Sequence, residues 1–140
     1  MRSKAPLALM EQILMVMVFA LAAGLCLQVF VLGSQISRRC EAKDRAVLVV
    51  QNVAEVWKIH RGDARMCVQK LGGTYDVDGW QVGYDADWEE TGTDEAAYLV
   101  YAVPVATEDL LLGRVEICAQ TADGDHLFEV SVAWQEDGNE

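Results

Sequence analysis

The sequence is short of proline, of histidine and, past its midpoint, of positive charge. Its two prolines are Pro6 and Pro104, so none interrupts the chain between them, which excludes a proline-rich linker or a polyproline ligand segment. From Gly73 to Glu140 there are 17 Asp or Glu and one base, Arg114, a balance of −16. Such a surface repels phosphate and excludes nucleic acid contact for this half of the chain. The two histidines, His60 and His126, have no Ser or Cys beside them in a nucleophile motif. His60, in the last turn of an expected helix, reads as a partner for the helix dipole. No glycine-rich phosphate loop is present, and the chain is expected not to be an enzyme. Of the four cysteines, Cys26 lies in an apolar run, and Cys40, Cys67 and Cys118 lack metal-ligand spacing. One disulfide among those three, or three reduced thiols, both fit the residues.

Charge is scarcest between Leu7 and Gly33, where Glu11 is the one charged side chain in 27 residues. As a helix this stretch reaches about 40 Å, beyond the ~30 Å hydrocarbon core of a bilayer. The basic leader Met1–Pro6 (MRSKAP) precedes it, and Pro6 suits the first turn of a helix. Three readings compete: an uncleaved anchor, a secretory signal cut at Ala20-Leu21-Ala22, and a lipoprotein signal ending at Cys26. The apolar run continues past Ala22, and the residue before Cys26 is the bulky Leu25, so the anchor is expected. Arg38, Arg39, Lys43 and Arg45 outnumber Arg2 and Lys4, and counting alone would face the C-terminal part inward.

From Ser34 to His60 there is no Gly or Pro to stop the helix. Ile36, Cys40, Val47, Val50, Ala54 and Trp57 form one apolar stripe, and Ala46, Val49, Val53 and Val56 form a second beside it. One helix of about 50 residues, roughly 80 Å, is expected, solvated near the membrane and then buried under a domain. Gly62 ends it and Asp63 caps a short helix over Ala64–Leu71. Arg61-Gly62-Asp63 spells an integrin-binding tripeptide, but three letters carry little information and chance is the better account. The remainder reads as four strands: Trp80–Trp88, Ala97–Val105, Leu111–Gln120 and Leu127–Trp134. Val115, Ile117 and Ala119 face in, and Arg114, Glu116 and Cys118 face out. Ala122-Asp123-Gly124-Asp125 joins the last two strands as a hairpin. The expected fold class is α+β, a long N-terminal helix packed on a four-stranded antiparallel sheet. The organisation is a leader over 1–6, a transmembrane helix over 7–33, its continuation over 34–62 and a head over 63–140.

Leu7-Ala8-Leu9-Met10-Glu11, four apolar residues and then Glu at the start of an apolar helix, resembles the opening of type IV pilin-like proteins. Ala46–Lys58 (AVLVVQNVAEVWK) is similar to the helix pattern of minor pilins and type II secretion pseudopilins. The motif likeness covers about the first 60 residues, and the architecture covers the chain. The resemblance implies a single-pass cell-membrane protein with its C-terminal domain extracytoplasmic. It implies a structural subunit of a filament in a type II secretion, type IV pilus or DNA-uptake machine. Its partners would be other pilin or pseudopilin subunits and an inner-membrane assembly platform. Glu11 would pair with the N-terminal amine of a neighbouring subunit, where the alternative is a residue at the cytoplasmic boundary, since Ile13–Leu32 spans the bilayer without it; processing would fall between Pro6 and Leu7. Pro6 stands where the family has Gly, and proline is a poor residue at a scissile bond. The runner-up is a membrane-anchored binding protein that forms no filament. A secreted domain cut near Ala22 comes third.

Two surface features complete the expectations. Asp76, Asp78, Asp85 and Asp87, in a longer acidic run, form a candidate Ca²⁺ site that lacks the full spacing of an EF-hand loop. The alternative is a solvated acidic face, with no cofactor. Ser34–Gly72 carries eight bases and four acids, a balance of +4, so one subunit's basic stalk could lie against a neighbour's acidic head.

Overall fold

The computed structural model describes residues 5–107 and 111–135. The order of elements is α1 (Ala5–Ile59), α2 (Ala64–Leu71), β1 (Thr74–Asp76), β2 (Gly79–Tyr84), β3 (Glu90–Thr91), β4 (Tyr98–Pro104), β5 (Leu112–Thr121) and β6 (His126–Gln135). The chain divides into two compact units, residues 1–40 and 41–140, and α1 contributes to both.

Between Ile13 and Leu32, within the first unit, α1 is apolar around its whole circumference but for Gln28, with side chains such as Leu14, Phe19, Leu25 and Phe30 exposed. A helix apolar on every side has no polar face to turn to water. It is long and apolar enough to cross a membrane.

In the second unit, the end of α1 covers an antiparallel sheet of six strands. The order is β1-β2-β4-β5-β6, with β3 pairing β2 beside β1. Ala46, Val50, Val53 and Trp57, spaced four, three and four apart, are fully buried against Trp80, Val82, Val100, Ala102, Val115, Ile117 and Ala119. The buried seam therefore takes residues from both stripes of the sequence pattern, and Val49, Ala54 and Val56 flank it half-buried. Each fully buried side chain of this size contributes roughly 1.5–3 kcal/mol by leaving water, which makes this seam the main attachment of helix to sheet.

The chain folds back between the helices with Arg61 and Gly62 in left-handed backbone, φ 49° and 79°. The amide of Gly62 donates to the carbonyl of Trp57 and that of Arg61 to Lys58, the paired bonds of a Schellman end. The Asp63 carboxylate accepts from the amides of Arg65 and Met66 and caps α2. Each letter of Arg61-Gly62-Asp63 thus has a place in the helix–helix connection.

Six strands stand where four are expected. The two extra, β1 and β3, are three and two residues long, too short to carry an alternating pattern. The strand expected over Trp80–Trp88 ends at Tyr84. There the Asp85 carboxylate accepts from the amides of Asp87 and Glu89, closing a loop in place of a ladder. Trp88 turns with φ 64° and stacks on Tyr98 at 4.4 Å. The last two strands pair as an antiparallel hairpin through Thr121–Asp125, as the Asp-Gly turn predicts.

Candidate functional site

The register of the sheet sets a row of side chains across its outer face. Gln81 pairs with Tyr101, Tyr101 with Cys118, and Cys118 with Glu129. Along a regular strand, residues three apart point to opposite faces. His126 and Glu129 are three apart, yet His126 Nε2 lies 3.1 Å from Glu129 Oε2. The cause is a break in the register between Ala119 and Gln120, whose partners on β6 are Phe128 and His126. Leu127 is the extra residue, and it packs with Phe128 toward the core. The bulge therefore brings His126 round to the face that carries Glu129.

Cys118 Sγ, a His126 ring nitrogen and a Glu129 carboxylate oxygen lie within 4.8 Å of one another. Cys118 faces outward as the alternation predicts, but it is only 5% exposed. Burial pushes its thiol above the ordinary range and the Glu129 charge adds to this, while a hydrogen bond with Tyr101 opposes the rise. The same hydrogen bond, with burial and the charges of Cys118 and Glu129, pushes the Tyr101 phenol up to about 12. The Cys118 thiol itself donates to the Ala119 carbonyl oxygen at 3.8 Å. At the far end of the face, Arg114 reaches Ser131 at 2.8 Å and Glu116 at 3.4 Å, exposed contacts with little energetic weight.

No protein-family model, curated protein or solved structure matches the chain.

Glu11 and the pair Pro6-Leu7 lie on α1 within the first unit, exposed. Asp76 and Asp78 fall at the β1–β2 turn, Asp85 and Asp87 in the β2–β3 loop. The Asp76 carboxylate accepts from the Val77 amide at 2.7 Å and that of Asp85 from two loop amides, so both have backbone partners. Among the described residues, the convergent group of three metal-capable side chains is the Cys118 set; the four aspartates do not form such a group. The four cysteines are free, with Cys26 and Cys40 exposed and Cys67 and Cys118 buried.

A second feature lies beside the α1–α2 connection. Trp57, Gly62, Pro104, Gly113, Arg114 and Trp134 line a cavity of about 370 Å³. The indole N–H groups of Trp57 and Trp134 are buried there without a hydrogen-bond partner. Sequence reasoning treats both tryptophans as core and passes over the N–H groups, whose pairing no pattern of apolar residues encodes.

Proposed function

We propose that the chain is a minor pilin- or pseudopilin-like subunit, anchored by α1 in a membrane and assembled into a short extracytoplasmic filament. The observation that carries this reading is the division of labour along α1. Its 41–59 portion buries one seam against a sheet, while its earlier portion exposes apolar side chains on every side. That surface needs a bilayer, or a bundle of like helices, to cover it. Helices gathered in a filament core and heads displayed outside would use both halves. The role assigned to the machine, type II secretion, type IV pilus or DNA uptake, rests on the resemblance of Leu7–Glu11 and Ala46–Lys58 to that family.

Glu11 would supply register. Glu11 lies near one end of the apolar run, where a carboxylate costs less than at the bilayer centre, and pairing it with the free amine of a neighbouring chain would offset that cost. The pairing requires an N-terminus at Leu7, made by cleavage after Pro6. The proline favours the second reading, an unprocessed single-pass anchor with an acidic extracytoplasmic binding domain. Mass spectrometry of the mature chain separates them. A start at Leu7 supports the filament subunit, a start at Met1 the anchored protein, and a start at Ala23 a secreted domain.

A further inference from the structure

The Cys118 cluster stands apart from the filament reading, and it is built in ways that a chance meeting of surface side chains is not. Its three donors come from two adjacent strands, and one of them arrives only because β6 carries a bulge at Leu127. Bulges disrupt the ladder and are commonly kept where they aim a side chain. The sulfur is buried and hydrogen-bonded, whereas the His126 and Glu129 side chains are 54% and 51% exposed and have room to adjust.

The donor set selects the ion. Thiolate and imidazole are ligands for zinc, whereas calcium takes six to eight oxygens. Ligand atoms about 2.0–2.3 Å from a tetrahedral zinc lie roughly 3.3–3.6 Å apart. His126 Nε2 and Glu129 Oε2, at 3.1 Å, are already near that separation. Cys118 Sγ lies within 4.8 Å of both, so a small rotation of the two exposed side chains closes the set.

We propose that Cys118, His126 and Glu129 bind a zinc ion on the outer face of the sheet, with water in the fourth position. On binding, the S–H bond of Cys118 gives way to an S–Zn bond and the proton passes to water. The ion ties β5 to β6 and cancels part of the acidic charge of this unit.

The test uses the full-length chain in detergent micelles with Cys26→Ser and Cys40→Ser, which remove the two exposed thiols. Titration with Co²⁺ is expected to give a thiolate-to-cobalt charge-transfer band that saturates at one equivalent and is displaced by Zn²⁺. Cys118→Ser abolishes the band. His126→Ala and Glu129→Gln, both surface changes that leave the core intact, each weaken Co²⁺ affinity by about tenfold or more. Zn²⁺ raises the thermal transition of the parent and not of His126→Ala. A folded parent without the band, or a band unchanged by both His126→Ala and Glu129→Gln, overturns the proposal.

Discussion

At Gly113 the absence of one methyl group decides how Trp134 packs. A Cβ there, or on Gly62, would run into the indole ring, so the two glycines form a slot for it. Gly113 differs from Gly62 in that its backbone is not left-handed, so a substitution probes space alone. Gly113→Ala is expected to destabilise by about 1–3 kcal/mol, the usual cost of overpacking, read from the urea midpoint of the full chain. Cys67 makes a second prediction at this scale. Burial, and then the Asp63 carboxylate, push its thiol from 9.0 to about 11. As pH rises past 9.0 the unfolded chain loses this proton before the folded one does. The contribution is therefore intact below pH 9.0 and is lost by about pH 11. The difference in stability between wild type and Cys67→Ala should shrink over that window in denaturant titrations. At neutral pH, Cys26 and Cys40 should alkylate readily while Cys67 stays protected until the chain unfolds.

At the scale of elements, α2 depends on its cap. Asp63 satisfies two of the amides that an eight-residue helix leaves open. Asp63→Ala should cost about 0.5–2 kcal/mol, with the loss read by the same urea measurement. The elements also show what sequence patterns can carry. The long helix was legible because an unbroken apolar run carries its first half, and apolar spacing without Gly or Pro carries it on from Ser34. β5 and β6 were legible because alternation and an Asp-Gly turn agree, and β4 as a short run rich in apolar residues. β2 was read four residues too long, since Trp80–Trp88 alternates throughout. What ends it is the side chain of Asp85, which offers loop amides a nearer acceptor than a neighbouring strand. β1 and β3 exist because β2 presents an edge to pair with, a tertiary cause with no local trace. The Cys118 cluster was missed for a related reason. Strict alternation puts His126 and Glu129 on opposite faces, and only the adjacent apolar pair Leu127-Phe128 hints that the period slips. Counting outward from the Asp-Gly turn with that slip places Cys118 opposite Glu129 and returns His126 to their face.

At the scale of the whole molecule, charge and hydrophobicity divide the chain into an apolar start, a basic stretch and an acidic head, three surfaces with different demands on their surroundings. The candidate calcium site belonged to the acidic head, and Asp76, Asp78, Asp85 and Asp87 fall in two separate turns, with Asp76 and Asp85 engaged by their own backbone. The candidate assembly site belongs to the apolar start: under the proposed filament reading, copies of α1 would pack against one another through the 5–40 portion, with Glu11 setting register. Cys26 and Cys40, both exposed on that portion, report it directly. Cells producing the chain, treated with a membrane-permeant bis-maleimide, should yield a ladder of cross-linked species. The ladder should be lost in Cys26→Ser/Cys40→Ser and strongly reduced in Glu11→Ala at equal membrane abundance. A chain that stays monomeric at saturating cross-linker, or a ladder indifferent to Glu11→Ala, would contradict the claim.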